Sequence, residues 1–163
     1  MRLSIKLYNH FNFHKASITY YLIGLIVLFF LNFNKSAILI FGIWWAIDLI
    51  PAIILHIEYW LKNKDEQYEI KSNEIIKYKG DEIEIFKVDD FEKIVEYKSA
   101  SVDKGGIPFL CVESYYYFRI FLKSGDEIIL TRLLSPTLEQ EILKIKGVKR
   151  ERKKRLLNTL SWK

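Results

Sequence analysis

The sequence predicts an α+β membrane protein: a two-helix transmembrane hairpin plus an antiparallel β-barrel or sandwich with one C-terminal helix. Three observations predict this class. Two long apolar runs follow one another near the start, short period-two segments come next, and one helical stripe lies near the end. The predicted organisation is an N-terminal strand and interfacial segment over 1–15, the hairpin over 16–61, a cytoplasmic domain over 62–147 and a basic amphipathic tail over 148–163.

The N-terminal element is predicted to be a strand, because Leu3–Leu7 alternates between apolar and polar residues. His10 and His14 follow at helical spacing, but no carboxylate or cysteine at ligand spacing completes a zinc site with them. We expect both histidines to be interfacial. The single cysteine, Cys111, excludes an internal disulfide and any Cys-rich metal site. No cofactor is expected.

The hairpin is predicted from the apolar runs Ile18–Phe33 and Ala37–Trp60, which are separated only by residues 34–36. A bilayer core about 30 Å thick needs roughly 20 helical residues. Lys and Arg precede the first run and follow the second, whereas the turn holds only Lys35. This asymmetry predicts that both termini are cytoplasmic. Abundant Ile, Lys and Asn indicate a low-GC bacterial genome, so we expect a multi-pass protein of the bacterial inner membrane.

Asp48 is an acidic residue near the middle of the second run, and ionisable groups at membrane depth are costly. In an antiparallel hairpin it is level with about residues 23–24, where Gly24 permits close helix approach. Tyr20 lies one turn toward the cytoplasm, and His56 shares the helical face of Asp48. One interpretation is a hydrogen bond within the hairpin or at an oligomer interface. The other is an ion or proton pathway, which requires oligomers.

The cytoplasmic domain is predicted as an antiparallel meander, because its strands alternate in hydrophobicity and several are joined by two-residue turns. After a looser stretch over Ser99–Ser114, two more strands precede a helix with Ser135 as N-cap and Pro136 as its first residue. Leu138, Ile142 and Ile145 form its core-facing stripe. The predicted strands are Gln67–Lys71, Glu74–Lys79, Glu82–Lys87, Phe91–Lys98, Tyr115–Lys123 and Asp126–Arg132.

With Leu3–Leu7 these strands make seven, closed by one helix, and this arrangement resembles a pleckstrin-homology (PH) domain. The sequence resembles bacterial pleckstrin-homology-like membrane proteins of the YcxB-like type. The resemblance covers the N-terminal strand, the hairpin, the Glu74–Lys87 strand pair, Val88–Val95 and the helix at Leu138–Ile145. It implies that the hairpin is inserted between the first strand of the domain and the rest.

Some PH domains bind phosphoinositides with basic residues on their first two strands, and Lys71, Lys77 and Lys79 resemble that arrangement. An ordinary exposed strand face is the alternative. Tyr115 and Tyr117 share one face of a strand, which is either core or a contact surface.

The end of the chain holds most of its net positive charge. The protein has a net charge of +5, and residues 149–163 alone carry seven Lys or Arg against Glu151. Such a segment favours the anionic inner leaflet of a membrane, and tethering to a membrane argues against nucleic acid as the partner. The predicted lipid-facing residues are Lys149, Arg150, Arg152, Lys153, Lys154, Arg155 and Trp162.

No phosphate-binding loop, nucleophile or acid–base pair is evident in the sequence, so we expect a non-enzyme. The predicted function is binding of a protein or lipid partner at the membrane, with a homo-oligomer as one form of protein partner. An immunity protein against a membrane-targeting bacterial toxin is the first alternative. A subunit of a small channel or transporter that uses Asp48 is the second.

Overall fold

The computed structural model describes residues 2–12, 15–103 and 110–161, so His14 and Trp162 lie outside the described residues. Within these ranges the helices are α1 (Leu7–Asn12), α2 (Lys15–Phe30), α3 (Lys35–Asn63), α4 (Ala100–Asp103) and α5 (Leu138–Leu143). The strands are β1 (Arg2–Leu3), β2 (Gln67–Ile70), β3 (Glu74–Lys79), β4 (Glu82–Lys87), β5 (Phe91–Lys98), β6 (Tyr117–Leu122), β7 (Glu127–Thr131) and β8 (Lys149–Lys154). Short 3₁₀ turns lie at Val88–Asp90, Cys111–Ser114 and Arg132–Leu134.

The strands form two four-stranded sheets, with the orders β1-β2-β3-β4 and β7-β6-β5-β8. All neighbouring pairs are antiparallel except β5 and β8, which are parallel. The α+β class is therefore confirmed. The predicted set of seven strands is incomplete, because β8 adds an eighth after the last helix.

The N-terminal strand pairs with the sheet, but it is shorter than predicted. Arg2 and Leu3 pair with Glu69 and Tyr68 of β2, so the strand before the hairpin joins strands after it. Leu7 starts α1 instead of ending the strand, and its side chain is exposed. The Asn9 amide anchors α1 by donating to the carbonyl of Leu133 (2.7 Å). This long-range bond outweighs the weak preference of a five-residue alternation for a strand.

Helices α2 and α3 form the hairpin, and the turn between them has a defined geometry. Asn32 and Phe33 have positive φ angles, with Phe33 N–H donating to the Leu28 carbonyl (2.9 Å) as in a Schellman motif. Asn34 then caps α3 by accepting from Ser36 N–H (2.9 Å). By length and composition α3 is long and apolar enough to cross a membrane, and Ile18–Phe30 is a shorter apolar helical stretch.

Two apolar cores flank the second sheet. The first lies between the sheets and includes Leu3, Ile75 and Ile120, together with the predicted stripe of α5, all of it buried. The second lies on the opposite face, where Leu55 and Tyr59 of α3 pack against the sheet. The C-terminal half of α3 is therefore part of the domain, while its outward face remains apolar and exposed.

Helix α5 starts later than predicted. Ser135 does not cap it; the Ser135 hydroxyl accepts from Thr137 N–H (3.1 Å) in a turn ahead of the helix. The helix begins at Leu138, and Gly147, with φ of 80°, lies in the turn after it, as the sequence predicts. It is not C-terminal, because β8 and a docked segment over 155–161 follow.

Candidate functional site

The polar residue predicted within the second apolar run joins the hairpin to the domain. The Asp48 side chain is buried and accepts a hydrogen bond from Cys111 N–H (2.7 Å). Tyr21 Oη of α2 also donates to the Asp48 carboxylate. The Tyr21 hydroxyl oxygen lies 3.3 Å from Cys111 Sγ. Three segments that are distant in sequence therefore meet at one carboxylate. Two donors compensate the cost of burying it.

The structure does not bring all the residues predicted beside Asp48 together at its carboxylate. Tyr21, and not Tyr20, bonds to the carboxylate, because the helix register differs by one residue from the simple count. Gly24 is a point of close approach: a Cβ there would lie 3.1 Å from the Trp45 ring. His56 belongs to a second polar cluster, with ring nitrogens 2.8 Å from His10 Nδ1 and 3.0 Å from Tyr115 Oη.

The tyrosines predicted as core or contact surface are core. Tyr115 and Tyr117 are fully buried between the second sheet and α3. Both rings make edge-on contacts with Tyr59, and Tyr117 stacks on Tyr97 with ring centroids 4.6 Å apart. Burial raises the pKa of Tyr117 to about 12. These rings connect α3 through the sheet face to β5.

The segment after β8 packs along this junction. Tyr59 Oη donates to the Asn158 carbonyl (2.8 Å), and the Asn158 amide donates to the Tyr115 carbonyl (2.7 Å). The Glu58 carboxylate accepts from the backbone N–H of Leu160 (2.8 Å) and of Ser161 (3.1 Å). Through residue 161 the end of the chain is therefore bound to α3.

Most of the predicted lipid-facing residues lie on β8. On one face of the strand, Arg152 pairs with Glu96 (2.6 Å) and Asp103, and Lys154 pairs with Asp103 (2.8 Å). On the same face Arg150 donates to the Ile142 carbonyl (2.9 Å). On the other face Lys149 pairs with Glu151 (2.9 Å), while Lys153 and Arg155 lie over the Tyr97 ring. The hydrogen bond from Lys154 and the charge of Arg152 hold the pKa of Asp103 below its ordinary value.

The three lysines that resemble a ligand surface lie along the first sheet. Lys71 pairs with Glu74 (2.7 Å) before β3, whereas Lys79 ends that strand. At about 3.3 Å per residue the two ends of β3 are roughly 17 Å apart. Lys77 pairs with Glu66 and Glu84, each at 3.5 Å. The three side chains are spread along the sheet.

Two residues that sequence reasoning missed dominate the uncovered part of the second sheet. The cations of Lys153 and Arg155 lie over the Tyr97 ring, and Arg119 is buried beside it. A signal for Arg119 was present, because it is the only charged residue in the apolar segment 115–122. Within the described ranges no group of three or more His, Cys, Asp or Glu is placed to hold a metal ion.

Comparison with known families shows where this architecture belongs. The family described as the PH domain matches residues 3–154, a range that begins in β1 and ends at the last residue of β8. No curated protein and no solved structure matches the chain. The match includes the hairpin and covers nearly the whole sequence, and so the chain belongs to the PH domain family.

Proposed function

We propose that the protein is a non-enzymatic binding module of the bacterial inner membrane, whose cytoplasmic PH domain contacts the anionic lipids of the inner leaflet. PH domains are typically non-catalytic modules that bind lipids or proteins. In this proposal α2 and α3 cross the bilayer, with both termini in the cytoplasm, as in membrane proteins of the YcxB-like type.

Exposed apolar residues on α2 and α3 support the anchor. The side chains of Ile23, Ile26, Phe30, Ile40 and Ile47 are each about half exposed or more, a pattern that suits contact with lipid. The 29 residues of α3 make a helix about 43 Å long, longer than the hydrocarbon core of about 30 Å. The cytoplasmic end of α3 therefore extends beyond the core.

The position of Asp48 supports a close approach of the domain to the bilayer. With a rise of about 1.5 Å per residue, Asp48 lies about 21 Å along the helix from the Asn34 turn. If that turn is at the outer boundary, the Cys111–Asp48 contact lies within the inner leaflet. In that arrangement the turn that precedes β6 lies deeper in the bilayer than the lipid headgroups.

One observation carries the lipid proposal: a row of contacting rings connects α3 to the basic residues at the end of the chain, and we infer that these residues lie near headgroup level. Tyr59 of α3 is about 37 Å from the turn, just beyond the hydrocarbon core. Its ring contacts Tyr117, which stacks on Tyr97, and Lys153 and Arg155 lie over that last ring. A basic residue near an anionic leaflet contributes about 1 kcal/mol.

The test uses the full chain in nanodiscs made with or without phosphatidylglycerol, with native mass spectrometry of bound lipids. We expect the wild type to retain phosphatidylglycerol preferentially, and Lys153→Gln/Arg155→Gln to lose most of that preference. Lys79→Gln/Lys87→Gln, which removes the same charge from the first sheet, is the matched control. Equal lipid retention by both double variants would overturn the proposal.

The two alternative functions remain testable proposals. The Asp48 carboxylate is buried and has two donors, which favours a structural role over a channel or transporter subunit. A flux assay in which Asp48→Asn abolishes transport would favour the channel. Protection of cells from the product of a neighbouring toxin gene would favour the immunity role, and capture from native membranes would identify a protein partner or a second copy.

A further inference from the structure

An open groove lies on the outer face of the second sheet, on the part that α3 and the C-terminal segment leave uncovered. Its volume is about 660 Å³. The lining includes Tyr97, Arg119, Phe121, Asp126, Glu127 and Lys153. These side chains come from β5, β6, β8 and the β6–β7 hairpin, so the site is built on strands.

Arg119 is the unusual residue of this groove. Its side chain is only 3 % exposed, yet its nearest carboxylate oxygen, on Glu127, is 3.5 Å away. Nη2 donates to the Leu160 carbonyl (2.8 Å), while Nε is buried with no hydrogen-bond partner among the described residues. A buried guanidinium with one long ion pair is only partly compensated. An anion that reached Nε would satisfy this donor.

Further positive charge gathers around the ring beside Arg119. The cations of Arg119 (5.7 Å), Lys153 (5.7 Å) and Arg155 (4.7 Å) all lie over the Tyr97 ring. Two carboxylates also line the groove: Glu127 pairs with Arg119 (3.5 Å), and Asp126 accepts from Ser124 Oγ (2.8 Å) at the β6–β7 turn. An anion that binds these cations therefore competes with the Glu127 carboxylate.

We propose that the cationic side chains of this groove, Arg119 and Lys153 beside Tyr97, bind the phosphate group of a small ligand. Arginine binds phosphate through a fixed fork of N–H groups, and lysine adds a mobile charge. A phosphate dianion neutralises more of the three clustered cations than one carboxylate does. This goes beyond the proposed function, because a general attraction to an anionic surface needs no defined pocket.

The test is a thermal-unfolding titration of the full chain in nanodiscs of phosphatidylcholine, with inorganic phosphate and glycerol 3-phosphate as soluble probes. Sodium chloride at matched ionic strength is the salt control. A second arm replaces the soluble probes with phosphatidylglycerol in the nanodisc. A ligand that binds only the folded state raises the unfolding temperature as its concentration rises.

Lys153→Gln is the principal variant, because Lys153 is exposed and its loss leaves the sheet intact. We expect it to weaken phosphate binding about tenfold, as for one lost charge-assisted contact. Lys79→Gln is the matched control and leaves binding unchanged. Arg119→Lys keeps the charge but removes the fork, and we expect an equal or larger loss.

Stabilisation by the soluble probes that Lys153→Gln weakens supports the site with a free phosphate compound as its source. Stabilisation only in the phosphatidylglycerol arm, again weakened by Lys153→Gln, supports the site with a lipid headgroup as its source. No stabilisation in either arm, or identical behaviour of Lys153→Gln and wild type, overturns it. The soluble arm contains no anionic lipid, so its result is separate from that of the lipid-retention test.

Discussion

Asn63, the last residue of α3, holds the edge of the second sheet against the helix. Its side chain is fully buried. Nδ2 donates to the Ile129 carbonyl (3.1 Å), and Oδ1 accepts from Thr131 N–H (3.1 Å). Because β7 is an edge strand, the amide takes the place of the neighbouring strand that β7 lacks on this side.

The substitution Asn63→Ala leaves the Ile129 carbonyl and the Thr131 N–H of β7 buried and without the Asn63 amide as their partner. An orphaned buried group costs about 1–3 kcal/mol, so the total is about 3 kcal/mol, or roughly 100-fold in an equilibrium constant. We expect the amides of β7 to exchange with deuterium roughly 100-fold faster in this variant, while those of β3 keep their rates.

The assay is hydrogen–deuterium exchange with mass spectrometry on the full chain in nanodiscs. Asn73→Ala is the matched control, because Asn73 lies exposed in the turn between β2 and β3. Unchanged exchange at Thr131 in Asn63→Ala would refute the argument. So would an equal acceleration in β3, because it would mean that the variant unfolds as a whole.

Further predictions concern the hairpin and the domain surface. Gly24→Leu should push α2 away from α3 and lower the thermal-unfolding midpoint, whereas Gly42→Leu, at a position with open space around it, should not; equal midpoints would contradict this. Tyr21→Phe removes one donor to a carboxylate and should lower stability by about 2 kcal/mol, measured in the same assay, with an unchanged midpoint as the contrary result. Burial raises the pKa of Glu66, but bonds from Tyr68 and Asn63 and the charge of Lys77 outweigh it and leave the pKa below its ordinary value. The contribution of Glu66 to stability is therefore present above about pH 4.5 and is lost as the pH falls through the lowered pKa. In a pH titration of unfolding, Glu66→Gln should lose less stability in acid than the wild type does. Equal losses of stability would exclude the effect.

The parts of the fold that the sequence predicted are those with a local cause. The bounds of β3, β4 and β5 agree with prediction: β4 alternates between polar and apolar residues, and turn residues at 72–73 and 80–81 separate β3 from its neighbours. The stripe of α5 was also predicted, although its first turn was not. In each case the signal lies within a few neighbouring residues.

The parts that were missed depend on distant contacts. Strand β8 has no apolar alternation; pairing with β5 and ion pairs such as Arg152–Glu96 hold it in the sheet. The sequence indicated Asp48 as a polar site, but Cys111 as its partner follows only from the packed turn before β6. Arg119 was likewise overlooked, since its surroundings come from four separate strands.

If the hairpin crosses a bilayer, as proposed, the pairing of β1 with β2 links membrane insertion to folding. These strands flank the hairpin in sequence and are adjacent in one sheet. For a hairpin that crosses a bilayer, they meet only when both helices have been inserted and both ends remain on the same side. A chain with a single span would separate Leu3 from Tyr68 by the full thickness of the membrane, leaving the first core without one of its strands. In that arrangement completion of the sheet would serve as a check on topology, and a misinserted chain would present an incomplete domain to the proteases of the cell.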